Sequence, residues 1–262
     1  MYQCKRIFSL IIFAFTFTFA VTVITPASAE KVSVAVAANF TATAKDLVQA
    51  FTINTGHEVV LSFGSTGKLF TQIIHGAPFE VFLAADRERP KRAEQEGLTV
   101  EGSRFTYAQG KIVLWSRDPN RLNPEGTSLE QSSAIESDAI TRLAIANPKT
   151  APYGRAALET LTKLGVYESV KDKIVQGENI AQTYQFAYTG NVELAIVSLA
   201  QAELNTGGSH WVVPQELYAP LDQQAVLLKK GAANNAAIAF ISFLTSNEAA
   251  VIIRKFGYTI KQ

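Results

Sequence analysis

Cysteine is almost missing from this chain. The single one, Cys4, lies in an N-terminal stretch expected to be removed, which excludes disulfides and thiol chemistry from the mature protein. Histidine is as sparse: His57, His75 and His210 are scattered through loops without ligand spacing, an argument against a metal centre. An excess of either charge is also lacking, with 24 Lys and Arg against 23 Asp and Glu. Such a balance excludes a general nucleic-acid binder or a polybasic membrane binder. Beyond the N-terminus no apolar run is long enough to span a bilayer. Gly64-Ser65-Thr66-Gly67 is not the G-x-S-x-G of a nucleophile elbow, and no histidine is placed as its base, so a secreted α/β hydrolase is only a distant alternative. No repeat of fixed period and no low-complexity tract interrupts the chain.

What is present begins with an address. Lys5 and Arg6 precede an apolar run from Ile7 to Ile24, and Pro26-Ala27-Ser28-Ala29 supplies a small-residue cleavage site. This pattern predicts a cleavable secretory signal peptide over residues 1–29. The run is long enough for an uncleaved anchor, but the site immediately behind it favours removal. Cys4 lies on the wrong side of the run to be a lipoprotein acceptor. The full length of 262 less these 29 leaves 233 residues with 22 basic and 23 acidic side chains, a net charge of −1. That length suits two modest lobes or one large domain.

The mature chain is organised around Val34-Ala35-Val36-Ala37-Ala38-Asn39-Phe40. Small and β-branched residues predict a buried strand, and the helical spacing of Ala44, Leu47, Val48 and Phe51 follows at once. Asn39 is the expected N-cap. A strand running into a helix start leaves unpaired amides and the positive end of the helix dipole facing a crevice, which suits an anion. The pattern recurs. Glu58–Phe63 predicts a strand before Gly64–Gly67 and a helix through Ile74; Phe79–Ala85 predicts another strand, with Asp86 capping a charged helix that ends at Gly97. Near 105–116 two extended segments suggest a crossover into a second lobe. There Leu143–Ala146, a helix opened by Pro152, a helix from about Asn179 and a strand at Glu193–Val197 follow. Gln224–Lys229 reads as the return, with two terminal helices packing back on the first lobe. The expected fold is α/β with mainly parallel sheets and two crossover strands forming a hinge. Residues 30–109 and 225–262 would make the first lobe and 110–224 the second.

Four strand-end loops, 37–40, 64–67, 151–154 and 178–181, point at the cleft between such lobes. They offer hydroxyls (Ser65, Thr66, Tyr153), the Asn39 amide and helix-start N–H groups, with Glu178 as the one acid, at the edge. Lys68 and Arg155 stand next door and read as solvated first-turn residues. Asn39-Phe40-Thr41 matches a glycosylation sequon, but a buried strand end is a poor acceptor. A site of neutral donors selects a fully deprotonated oxyanion, because it has no good acceptor for a ligand proton. Hydrogen phosphate is disfavoured on that ground; sulfate, molybdate and tungstate remain open. About seven charge-assisted hydrogen bonds at roughly 1.5–3 kcal/mol each can offset dehydration and still leave the roughly −8 to −12 kcal/mol of micromolar to nanomolar binding.

Ala-Ala-Asn-Phe (37–40), Phe-Gly-Ser-Thr-Gly-Lys-Leu (63–69), Gly-Ala-Pro-Phe-Glu-Val-Phe-Leu-Ala-Ala-Asp (76–86), Asn-Pro-x-x-Ala-Pro-Tyr-Gly-x-Ala-Ala (147–157) and Phe-Gly-Tyr-Thr-Ile (256–260) resemble, in order, the periplasmic molybdate-binding proteins of ABC transporters. The resemblance spans nearly the whole mature chain. It implies a two-lobed class II periplasmic-binding-protein fold, a non-enzymatic monomer without cofactor or directly coordinated metal cation, and delivery of molybdate or tungstate to an inner-membrane ABC permease from the periplasm. It places Asn39 and Thr66 at donor positions, with Ser65 as the alternative hydroxyl. Tyr153 falls at a position near the ion and Ile180 at one contributing its backbone amide. Ala38 and Ser198 are further candidates, Ser198 standing where some members carry a Tyr.

Overall fold

A computed structural model describes residues 29–204 and 207–260. All of the expected leader except Ala29 lies outside them. The first lobe is built from β1 (Lys31–Ala37), α1 (Thr41–Thr55), β2 (Glu58–Gly64), α2 (Thr66–Ile74), β3 (Val81–Ala84), α3 (Glu88–Gln95) and β4 (Phe105–Gly110). After Lys111 the chain enters the second lobe. It comprises β5 (Ile112–Ser116), α4 (Ser128–Glu136), β6 (Leu143–Ala146), α5 (Pro152–Lys163), α6 (Tyr167–Val170), β7 (Ile174–Gly177), α7 (Ile180–Tyr188), β8 (Leu194–Ser198), α8 (Leu199–Ala202) and β9 (Ser209–Val212). It then returns through β10 (Leu221–Leu227), α9 (Asn235–Phe243) and α10 (Asn247–Lys255).

The two five-stranded sheets have the same plan, β2-β1-β3-β10-β4 and β7-β6-β8-β5-β9. In each, one strand runs antiparallel to its two neighbours: β10 against β3 and β4, and β5 against β8 and β9. These are the strands that have just crossed between lobes. The remaining strands of each sheet run parallel, as the alternation of strand and helix predicts. Strand β10 starts at Leu221 rather than Gln224, so Leu221–Gln224 belong to the first sheet; Gly110, too, ends a strand of that sheet. The early start was hidden by Asp222, Gln223 and Gln224, three polar residues in a buried strand. Strands β7 and β9 and helix α4 carry too little apolar periodicity to be read from sequence.

Period-two alternation places both faces of β1 in apolar surroundings. Val32, Val34 and Val36 pack with Phe40, Leu47, Phe51 and Phe240, whereas Ala35 packs with Leu69, Phe70 and Phe82 on the other side. Strand β8 repeats this, with Leu194 and Ile196 on one face and Ala195 and Val197 on the other. The turns from the parallel strands into their helices all lie at the carboxyl edge of each sheet, whereas β5 and β10, which run the other way, end at the opposite edge.

One turn departs from expectation. Asn39 is not an N-cap. A 3-10 turn, Ala38–Phe40, intervenes between β1 and α1, and Phe40 occupies the cap position without a side-chain bond. In the second lobe, by contrast, Asn179 does cap α7, accepting from Ala181 N (2.9 Å) and Gln182 N (3.1 Å). Helix α5 starts tight against β6: a Cβ on Gly154 would lie 2.1 Å from Ala146 O. Gly154→Ala is expected to force α5 away from the sheet and to cost about 1–3 kcal/mol, read as a lower urea midpoint at unchanged m-value.

Candidate functional site

Four carboxyl-edge turns meet where the lobes face one another: after β1 at Ala38 and Asn39, after β2 at Ser65 and Thr66, after β6 at Ala151–Tyr153, and after β7 at Asn179 and Ile180. With Ala37, Gly64 and Ala85 they line a chamber of about 10 Å³. A space this small admits a small ion and is too small for a sugar or an amino acid. Six predicted residues, Ala38, Asn39, Ser65, Thr66, Tyr153 and Ile180, are among its lining.

Ser198 is not. It is fully buried behind the wall, its Oγ bonded to Gln201 Oε1 (2.8 Å), while Gln201 Nε2 donates to Ile180 O (3.2 Å). Its contribution is to hold the Ile180 turn in place.

Two hydroxyls define the chemistry of the chamber. Thr66 Oγ1 accepts from Ala85 N (3.1 Å), which leaves its own hydrogen to give away. Ser65 Oγ is buried and has no hydrogen-bond partner in the protein. Five buried side-chain polar atoms are in that condition among the described residues, and Ser65 Oγ is the one belonging to the chamber lining. An orphaned buried hydroxyl costs about 1–3 kcal/mol, a cost a ligand oxygen would remove. The helix starts add N–H groups. The first-turn amides of Thr66, Tyr153 and Ile180 have no acceptor within their own helices, and the positive ends of α2, α5 and α7 converge with them.

Among the described residues, no charged side chain lines the chamber. Lys68 pairs with Glu178 across the lobes, and Arg155 reaches Glu88 Oε2 (2.9 Å) and Asp86 Oδ2 (3.6 Å). Arg89 pairs with Asp86 and also donates to Lys149 O (3.3 Å). Lys68 and Arg155, read from sequence as solvated, therefore span the mouth of the cleft. Gly67 N adds a backbone link to Thr150 O (2.8 Å). Asp86 plays its expected capping role in part, accepting from Arg89 N (3.1 Å).

The Asn39 side chain turns away into a buried polar network. Its Nδ2 donates to Gln223 Oε1 (2.8 Å) and Tyr258 Oη (3.1 Å) and lies 3.4 Å from Tyr153 Oη. Gln223 Nε2 donates to Tyr153 Oη (3.3 Å), and Tyr258 Oη donates to Asn39 O (2.8 Å). Tyr107 Oη lies 3.2 Å from Gln223 Oε1. Burial pushes the Tyr107, Tyr153 and Tyr258 phenols well up from their ordinary range, so all three stay neutral donors. With Asn39 4 % exposed, its sequon is closed to modification. Sequence reading missed Gln223, Tyr107 and Gln201. Tyr258 lay inside the Phe256–Ile260 motif but had no role there. The usable signal for Gln223 was a run of three polar residues in a strand with apolar ends.

The model of the family described as bacterial extracellular solute-binding protein matches residues 32–259. The chain is 52% identical over 228 residues to the molybdate-binding protein ModA of Rhodobacter capsulatus, covering 87% of this chain and 88% of that one. It is 50% identical over 234 residues to ModA of Azotobacter vinelandii, covering 88% and 90%. Among solved structures, an Azotobacter vinelandii periplasmic molybdate-binding protein superposes with a TM-score of 0.82 at 37% identity, covering 88% of this chain and all of that one.

The ion pairs at the cleft mouth predict a pH dependence. The hydrogen bond from Arg155 is the largest influence on Glu88 and holds its carboxyl below the usual 4.5. A depressed value means that the pair favours the closed lobes above pH 4.5 and that this contribution is lost as pH falls through the lowered value. Small-angle scattering should accordingly show the closed fraction falling on acidification, with less change in Glu88→Gln.

Proposed function

The chain belongs to the bacterial extracellular solute-binding protein family, and from that premise we propose that it captures molybdate, and tungstate with it, between its lobes for delivery to an ABC permease. The observation that carries this reading is the orphaned Ser65 hydroxyl beside Thr66 in a small chamber lined by uncharged residues. Relatives named as molybdate-binding proteins support the choice of ion.

The geometry accounts for selection by proton count. Because Ala85 N occupies an acceptor site of Thr66 Oγ1, this hydroxyl meets a ligand as a donor. The helix-start amides can do nothing else. Among these groups an oxyanion that still carries a proton finds the lone pairs of Ser65 Oγ to receive it and gives up that donor in exchange, so hydrogen phosphate is disfavoured at neutral pH. Molybdate, tungstate and sulfate all present four bare oxygens. Size then separates them: sulfate is the smaller ion and leaves the donors of a rigid wall stretched, where charge-assisted bonds weaken steeply. Binding of sulfate remains the alternative reading.

No group here needs to do covalent chemistry, and the reading requires neither cofactor nor catalytic residue. The protein acts as a monomer that replaces the hydration shell of the ion by N–H and O–H groups from two lobes. Opening at the crossovers on either side of Lys111 and β10 returns water to the ion and releases it. The N-terminal leader and a periplasmic relative support a periplasmic setting.

Isothermal titration tests the proposal. Molybdate and tungstate should bind tightly and sulfate far more weakly, and absence of heat with both metal oxyanions overturns it. Ser65→Ala and Thr66→Ala should each weaken molybdate binding by about 1–3 kcal/mol, the cost of leaving a buried charge one donor short.

A further inference from the structure

Tyr153 belongs to the second lobe, yet its hydroxyl sits among residues of the first. Its neighbours are Asn39 after β1, Gln223 on β10 and Tyr258 behind α10. Room for it exists because position 110 carries no side chain: a Cβ on Gly110 would fall 2.0 Å from Tyr153 Oη and 2.9 Å from Gln223 Nε2. Gly110 is the last residue of β4, immediately before the crossover, so the phenol docks at the hinge itself. Gln223 is wholly buried, and both ends of its carboxamide are used. The oxygen accepts from Asn39 Nδ2 and lies within reach of Tyr107 Oη, while the nitrogen donates to Tyr153.

Resting on the proposed binding function, we infer that Gln223 is a positioning residue that couples lobe closure to ion capture by holding Asn39 and Tyr153 together behind the chamber. When the lobes part, Tyr153 leaves the network. Gln223 Nε2 and the Asn39 amide then lose a shared partner in a buried place. When the lobes close, the same contacts bring the turn after β1 and the start of α5 to a fixed separation, and that separation sets the chamber width. Gln223 touches no ligand atom in this scheme; it acts through the two residues it holds.

The test compares the purified wild-type protein with Gln223→Ala, Gln223→Met and Ser65→Ala. Three readouts are used: molybdate titration, stopped-flow dissociation of molybdate, and small-angle scattering with and without the ion. Gln223→Met keeps much of the length and bulk of the side chain without adding charge but loses both the acceptor for Asn39 and the donor to Tyr153, so it reports even if Gln223→Ala fails to fold. Both Gln223 variants should release molybdate roughly 10- to 100-fold faster, the range expected for a lost buried hydrogen bond. They should also shift the ion-free protein toward the open form. Ser65→Ala should weaken binding while leaving the ion-free lobe distribution as in wild type. A purely structural role would lower the melting temperature without changing the dissociation rate or the ion-free distribution, and that result overturns the inference. A wild-type protein that binds neither molybdate nor tungstate overturns the proposed function instead; the ion-free scattering then still decides whether Gln223 governs closure, and an unchanged distribution rejects it.

Discussion

A dianion, the ligand proposed for this chain, can be held in a cleft without a bound cation only if enough hydrogen-bond donors reach it together, and on that proposal the condition bears on the whole molecule. No single helix start supplies them. The starts of α2, α5 and α7 and the turn after β1 are useful only when they converge, and they converge because each ends a parallel strand at the same edge of its sheet. The parallel order in turn depends on crossover helices that bury both faces of β1 and β8. Thus the alternation of Val32, Val34 and Val36 with Ala35 is tied to the placement of Ser65 and Thr66.

Neutrality is the second half of the same constraint. Cations stand close by, but the sequence supplies each with a carboxylate: Lys68 with Glu178, Arg155 with Glu88 and Asp86, Arg89 with Asp86. These pairs lie at the mouth and not in the chamber lining. An arginine in the lining would strengthen binding of any anion and would weaken discrimination by proton count and size. Pairing the charges outside keeps recognition with fixed hydrogens while letting charge assist closure.

Much of this was legible in the residues. Strand ends followed by small and hydroxyl-bearing residues located the turns that carry Ala38, Ser65, Thr66, Tyr153 and Ile180, because local patterning determines where a strand stops and a helix begins. What depended on distant contacts was not legible. Asn39 looks like a cap, since cap preference is a local property; its amide turns inward because Gln223 and Tyr258, 184 and 219 residues away in sequence, offer oxygens there. Ser198 is a candidate only because it stands where some family members carry a Tyr, and Gln201, three residues on, captures its hydroxyl. Lys68 and Arg155 look solvated because their partners sit on the opposite lobe.

The position of β10 between β3 and β4 also has a consequence for biosynthesis. The second sheet is drawn from one continuous segment, β5 to β9, whereas the first must wait for β10, more than a hundred residues after β4 has been made. Until then β3 has an open edge and β4 no neighbour. A chain made from its N-terminus onward can therefore complete its second half before its first, and the late insertion of an interior strand is a slow, long-range step during which an unpaired edge is exposed to other chains.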